Sequence, residues 1–182
     1  MVLITGATGF LGAHLACLLL KEREKVRAIR RDSSSMDQFD FIYKYHFGES
    51  PKEEIKNFEW VVGDILNIPS MESALEGIEK VYHCAAMVSF LQKEEKQMVK
   101  INMEGTANVV NLCLTHNIKK LCYVSSTAAL GRAEAGNVIT EETDWVDSKY
   151  NSNYAISKYL AEMEVWRAAE EGLNVVIVNP SV

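Results

Sequence analysis

Short, almost continuously apolar segments alternate along the whole chain with longer segments of helical periodicity. Apolar segments of this kind, rich in β-branched residues, are typical of strands that are buried on both faces of a parallel sheet. Six strands are predicted, at residues 2–5, 25–29, 58–62, 80–83, 120–125 and 174–179. The alternation of strand and helix is the pattern of β-α-β units, so the sequence predicts an α/β fold.

Amphipathic helices fill the intervals between these strands. They are predicted at residues 10–24, 36–47, 70–76, 94–117 and 150–171, and Gly172 is the expected stop of the last one. Because parallel strands need right-handed crossovers, we expect a doubly wound sheet of at least six strands with helices on both faces. The longest irregular segment, residues 132–148, is a candidate active-site loop.

The length and net charge of the chain limit the classes of function that we expect. The chain has 182 residues, 48% of them hydrophobic, which suits one domain over residues 1–182. The net charge is −6 and the basic residues are scattered, so we expect neither a nucleic-acid partner nor a membrane surface. The longest apolar runs, such as residues 15–20, are too short to cross a bilayer, and Met1 leads directly into a strand without a signal sequence. The expected protein is soluble and cytoplasmic.

No metal site is expected. The four cysteines form no C-x-x-C pair, and the four histidines are far apart in sequence without ligand spacing. We therefore interpret both residue types as structural.

A glycine-rich turn follows the first predicted strand. Gly6, Gly9 and Gly12 stand three residues apart, and a helix begins at once. Such a turn presents backbone N–H groups and the positive end of a helix, and glycines let a pyrophosphate come close to the backbone. Gly12 would let the helix pack on the sheet. A glycine-rich turn without a ligand is the alternative, while the absence of a Gly-Lys-Ser/Thr sequence disfavours a P-loop.

Tyr154 and Lys158 lie one turn apart in the last predicted helix. They share a face, so a phenol and an ammonium can converge at the carboxyl edge of the sheet. A nearby cation favours the phenolate, which would let Tyr154 act as a general acid or base near neutral pH. The Y-x-x-x-K spacing alone is weak, since it arises by chance in many helices.

Six segments in a fixed order resemble the extended short-chain dehydrogenases/reductases over the whole chain. They are TGATGFLG at 5–12, GDI at 63–65, HCAA at 83–86, NMEGT at 102–106, YVSSTAALG at 123–131 and YAISK at 154–158. The resemblance implies a Rossmann fold with a Ser/Tyr/Lys site at Ser126, Tyr154 and Lys158. Alignment on Gly131 selects Ser126, with Ser125 and Thr127 as alternatives, and simple capping is the competing explanation for these hydroxyls. The cofactor contacts that it implies are Gly6, Thr8, Gly9, Phe10, Leu11, Gly12, Arg30, Arg31, Asp64, Ile65, Ala85, Ala86, Tyr154 and Lys158.

The end of the second strand bears on the choice of cofactor. Arg30 stands where relatives that use NAD have an aspartate, and Arg31 matches an arginine that dihydroflavonol reductases use on the 2′-phosphate. A guanidinium suits a phosphate, so NADP is predicted, with NAD possible if Asp32 takes the ribose instead. Asp64 resembles the family's adenine-binding aspartate, and Asn102 matches a family asparagine that supports the lysine or serves helix packing.

The sequence disfavours two reactions of the family. Thr127 and Ala128 replace the acid pair of the dehydratases, and Leu130 replaces a tyrosine that many sugar-nucleotide enzymes carry. The closest resemblance is to dihydroflavonol 4-reductases and their bacterial relatives, which implies NADPH-dependent reduction of a small-molecule ketone or aldehyde. The alternatives are an NAD-dependent sugar-nucleotide epimerase and a non-catalytic NAD(P)-sensing module.

Extended family members continue beyond this point into a small substrate-binding lobe. The chain is therefore expected to be the nucleotide-binding part alone, with that lobe missing and its substrate not readable from the sequence. By analogy with family dimers, helices 94–117 and 150–171 could support a homodimer.

Overall fold

Six parallel strands form one sheet in a computed structural model that describes residues 1–49, 53–131 and 138–181. In chain order they are β1 (Val2–Thr5), β2 (Val26–Arg30), β3 (Phe58–Val62), β4 (Lys80–His83), β5 (Lys120–Val124) and β6 (Val175–Val178). Their order across the sheet is β3-β2-β1-β4-β5-β6. The predicted strands are confirmed to within one residue at each end, because apolar runs covered on both faces leave little choice of boundary.

The winding direction of the sheet reverses at β1. Its residue Val2 is in register with Val26 of β2 on one side and with Lys80 of β4 on the other. A crevice opens at such a reversal, outside the carboxyl ends of the strands, and this is where α/β proteins place their ligands.

Helices cover both faces of the sheet, as predicted. They are α1 (Phe10–Lys21), α2 (Asp37–Phe47), α3 (Ile68–Leu75), α4 (Glu95–Val99), α5 (Gly105–Thr115) and α6 (Asn153–Glu170). One apolar core joins α1 and α2 to the sheet, and a second joins α3, α5 and α6 to its other face. The doubly wound α/β fold is therefore confirmed.

The helix predicted at residues 94–117 is present over Glu95–Thr115, but it is not α-helical throughout. A π-helical segment, Lys100–Glu104, joins α4 to α5, so the backbone hydrogen-bond pattern changes within one continuous helix. Hydrophobic periodicity is almost the same for both kinds of turn, which is why the sequence did not reveal it. Insertions of this kind are frequent at functional sites.

Two other helix ends differ from the prediction for local reasons. Helix α1 stops at Lys21, because Arg23 adopts a left-handed φ of 63° and turns the chain. Helix α6 starts at Asn153, because the Ser152 side chain accepts a hydrogen bond from Ala155 N and caps the helix. Gly172, with a φ of 103°, follows the end of α6 as expected.

Residues 138–148 of the candidate loop are irregular, as predicted, whereas residues 132–137 lie outside the described ranges. None of the helices within the described ranges is long and apolar enough to span a bilayer.

Candidate functional site

A cleft of about 680 Å³ opens at the carboxyl ends of β1 to β4. It contains nine of the predicted cofactor residues: Gly6, Thr8, Gly9, Arg30, Arg31, Asp64, Ile65, Ala85 and Ala86. These nine residues lie where the strand order places a crevice, whereas Tyr154 and Lys158 are not among the residues that line it, and the predicted contacts with a cofactor stay a prediction.

The three glycines of the turn have different physical requirements. Gly6 has a φ of +74°, and a Cβ there would lie 2.6 Å from Ala85 N. A Cβ on Gly12 would overlap the backbone of Gly6. Packing alone thus requires glycine at these two positions, with or without a ligand.

Gly9 is the exception. A Cβ there would meet only Gly6 O, at 3.4 Å, and the residue faces the cleft as the N-cap of α1. Neither packing nor a positive φ demands glycine at this position. A ligand that approaches the start of α1 closely does explain it, and this is the structural observation that fits a pyrophosphate.

Phe10 and Leu11 belong to the first turn of α1, 65% and 48% exposed, and neither they nor Gly12 is among the residues that line the cleft. Their predicted contact with a cofactor could involve only backbone groups of the helix start. The prediction for these three positions remains untested.

Basic and acidic residues both line the β2–β3 end of the cleft. Arg30 and Arg31 lie there with Ser34, whose Oγ accepts from Arg31 N at 3.2 Å. Asp64 also lines the cleft and accepts from Leu66 N at 2.9 Å through Oδ1. Asp32, the alternative ribose ligand, is exposed and is not among the described residues that line the cleft.

The three hydroxyl side chains at the end of β5 have different environments. Ser125 donates to the buried carboxylate of Glu162, while Thr127 is exposed. Ser126 is buried, and its Oγ accepts from Ala128 N at 3.1 Å as the cap of the 3₁₀ turn Thr127–Leu130. The capping role foreseen as the alternative is therefore real. It still leaves the Ser126 hydroxyl a proton to donate.

Lys158 is 1% exposed, although it carries a charge at neutral pH. Its Nζ donates to Tyr123 Oη at 2.7 Å and to Val124 O at 2.9 Å, and it lies 4.4 Å from the centre of the Tyr123 ring. Burial lowers the pKa of this ammonium from 10.5 to about 8, and the nearby carboxylate of Glu162 opposes that change.

Tyr154 stands one turn before Lys158 on α6, half-buried, with its ring 6.2 Å from that of Phe90. Phe90 is itself 80% exposed. No hydrogen bond joins the Tyr154 hydroxyl to Lys158 among the described residues, since Lys158 is turned toward Tyr123 and Val124. The two side chains lie on one stretch of helix, and their direct cooperation stays a prediction.

Asn102 joins two helical segments, as its helix-packing alternative predicted. Its amide accepts from Met87 N at 2.7 Å and donates to Met87 O and to Ser157 Oγ, both at 2.9 Å. It lies in the π-helical segment and is 1% exposed. Asn102 thus connects the wall of the cleft after β4 to the residue beside Lys158, and no hydrogen bond joins it to Lys158 itself among the described residues.

Comparison with known proteins identifies the family. The model of the NAD dependent epimerase/dehydratase family matches residues 2–182. The chain belongs to this family.

Its relatives include several reductases. It is 34% identical to a Synechocystis protein named "Putative dihydroflavonol 4-reductase", covering 98% of this chain and 48% of that one. It is 29% identical to an anthocyanidin reductase of Arabidopsis thaliana, covering 98% and 54%. Among solved structures, gox2253 superposes with a TM-score of 0.84 at 33% identity, covering 100% and 51%. The chain thus spans about half the length of these relatives.

In this epimerase/dehydratase family member, several cleft residues lie outside the sequence motifs. Ser34, Met87, Gln97 and Lys100 all line it. Gln97 belongs to α4, and Lys100 is the first residue of the π-helical segment that follows it.

Proposed function

We propose that the chain is the nucleotide-binding part of an NADP-dependent oxidoreductase that reduces a ketone or aldehyde to an alcohol. The observation that carries this proposal is the cleft itself, where Gly9, Arg30 and Arg31 lie along one crevice. A closely approaching phosphate explains Gly9, and a second phosphate explains a pair of guanidinium groups where NAD-binding relatives have a carboxylate.

The residues of the cleft fit successive parts of a dinucleotide. The N–H groups of the Gly6–Gly9 turn would hold the pyrophosphate, Arg30 and Arg31 the 2′-phosphate, and Asp64 the adenine amine. Ala85 and Ala86 present only small side chains at the end of β4, which leaves room for a flat ring. When bound, NADPH supplies the hydride that the reduction needs.

The residues beyond β4 would handle the carbonyl oxygen. Tyr154 would give it a proton, and Ser126 would donate a hydrogen bond as negative charge develops. Lys158 remains mostly cationic at neutral pH, because its pKa is lowered only to about 8, and a cation near Tyr154 favours proton release from the phenol. The engagement of Ser125 with Glu162 supports Ser126 as the catalytic hydroxyl.

Two further observations favour reduction over the other reactions of the family. Thr127 and Ala128 carry no carboxyl group that could shuttle the protons of an elimination. The relatives above are named as reductases and match almost all of this chain.

The test is a fluorescence titration of NADPH and NADH on the wild type, on Arg31→Ala and on Lys25→Ala. Lys25 is an exposed cation at the opposite end of β2, so it controls for the loss of one charge. Arg31→Ala should weaken NADPH binding by roughly 10- to 100-fold, the loss of one or two charge-assisted hydrogen bonds, and leave NADH binding unchanged. Lys25→Ala should leave both unchanged.

Equal or tighter binding of NADH by the wild type would overturn the choice of NADP. Binding of neither dinucleotide would overturn the proposal as a whole, including its catalytic part.

A further inference from the structure

The buried ammonium of Lys158 needs acceptors that the polypeptide itself provides. Of its three N–H groups, one reaches Tyr123 Oη and one reaches Val124 O, both in β5. A buried charge of this kind is tolerated only when it is well hydrogen-bonded. Two protein acceptors leave one donor for a ligand hydroxyl.

Tyr123 is itself fixed in place. It is 1% exposed, its hydroxyl accepts from Lys158 Nζ, and its ring lies 5.5 Å from that of His83. Thr106 Oγ1 lies 3.0 Å from His83 Nε2, and Thr5 Oγ1 lies 2.6 Å from His83 Nδ1. These contacts form one buried chain of polar groups.

A neutral His83 can take part in both hydrogen bonds of this chain of groups. Burial, with the charge of Lys158, lowers the pKa of His83 from 6.5 to about 3, so the imidazole is neutral and has one donor and one acceptor nitrogen. Thr5 Oγ1 also accepts from Ala85 N at 3.2 Å, which brings the network to the cleft wall. This network fixes the His83 ring, and the Tyr123 ring packs against it with its hydroxyl at Lys158 Nζ.

We propose that Tyr123 is the positioning residue of the site: its buried ring packs beside His83, and its hydroxyl fixes Lys158 Nζ at the end of β5 and stabilises the charged form of the amine. The consequence for Tyr154 rests on the proposed function, whereas the hydrogen bond and the ring contact do not. Tyr123 touches neither substrate nor cofactor in this scheme, and it acts through Lys158 alone.

The direct test measures the ionisation of Lys158 without any reaction. The chain is labelled with ¹³C at lysine Cε, and the Lys158 signal, assigned by its loss in Lys158→Met, is titrated by NMR in the wild type and in Tyr123→Phe. Phenylalanine keeps the ring under the ammonium and removes only the hydroxyl. Tyr43→Phe is the matched control, because the buried Tyr43 hydroxyl has no hydrogen-bond partner within the described ranges.

Loss of one hydrogen bond to a buried charge should lower the pKa of Lys158 by about one to two units in Tyr123→Phe and leave it unchanged in Tyr43→Phe. An unchanged value in Tyr123→Phe would overturn the inference. If Tyr123→Phe does not fold, Thr106→Val is titrated instead. It removes the hydrogen bond that holds the His83 ring beside Tyr123 and should lower the pKa of Lys158 by a smaller amount, and no change there would equally overturn the inference.

A second readout connects Tyr123 to the reaction. With NADPH and an aromatic aldehyde as probe, the basic limb of the kcat/KM profile should move to lower pH in Tyr123→Phe by the same amount as the NMR titration. A merely structural loss would lower activity at every pH without moving that limb, and would overturn the role in catalysis. Absence of activity in the wild type would count against the proposed function, while the NMR result would still decide the role of Tyr123.

Discussion

The burial of Lys158 should make the unfolding free energy depend on pH in a particular direction. In the folded chain its pKa is lowered from 10.5 to about 8, mainly by desolvation. Between about pH 8 and pH 10.5 the unfolded state therefore binds more protons than the folded state. Stability rises with pH whenever the unfolded state binds the extra proton, so Lys158 contributes a rise in this window and none below it.

The size of the rise follows from the shift. A difference of 10.5 − 8 = 2.5 units at about 1.36 kcal/mol per unit gives about 3 kcal/mol over the whole window. Buried thiols act in the opposite direction. Cys17, Cys84 and Cys113 have raised pKa values, so the unfolded state loses their protons first and stability falls above about pH 9.

The measurement is a urea titration of the wild type and of Lys158→Met at pH 7, 8, 9 and 10 under reducing conditions. Cys17 and Cys113 are common to both proteins and cancel in the difference, and both proteins carry Cys84→Ala because the charge of Lys158 lowers the pKa of Cys84. Wild type minus variant should be constant between pH 7 and pH 8 and should rise by about 2 to 3 kcal/mol by pH 10. A difference that stays flat to pH 10 would refute the reasoning that the ammonium is buried and desolvated.

Four other substitutions test separate parts of the site. Gly6→Ala should lower the free energy of unfolding by about 3 kcal/mol or more in urea titrations, against about 1 kcal/mol for the control Gly77→Ala. Both glycines have a φ near +74°, but only at Gly6 would the added Cβ meet backbone atoms. Equal losses would contradict the packing argument. Tyr154→Phe should reduce turnover by about 10²- to 10⁴-fold with dinucleotide affinity nearly intact, and normal turnover would show that another group donates the proton. Ser126→Ala should lower kcat by about 10²-fold in single-turnover assays, and a change in stability alone would reduce its role to capping. Asn102→Leu leaves Met87 N unpaired and should cost about 1–3 kcal/mol in urea titrations, whereas a loss below about 0.5 kcal/mol would mean that water replaces the amide.

Most of the fold was predictable because buried strands and amphipathic helices have characteristic patterns of apolar residues. The strand at residues 58–62 was placed with its observed ends, since its aromatic and β-branched residues are bounded by Asn57 and Gly63. The π-helical turn at Lys100–Glu104 was not predictable. The segment has a different pattern of backbone hydrogen bonds, and its residue Asn102 contacts Met87 and Ser157. Contacts between residues so far apart in sequence cannot be inferred from a local pattern.

The position of candidate site residues was predictable where they directly follow the end of a strand. The glycine turn and the arginines after β2 lie in the cleft as expected, because each follows directly from a strand end. The hydrogen bond from Lys158 to Tyr123 was not predictable, because the two residues are 35 positions apart and the sequence around Tyr123 indicates only a core strand. Only the packing of α6 against β5 shows that its hydroxyl meets a charge.

The most direct measurement of the central claim is a crystal structure of the chain with NADPH. We predict pyrophosphate on the Gly6–Gly9 turn, Arg31 on the 2′-phosphate, and Tyr154 Oη or Lys158 Nζ within about 2.6–3.2 Å of the nicotinamide ribose. A dinucleotide bound in the cleft with its nicotinamide end directed away from Ser126, Tyr154 and Lys158 would contradict the account.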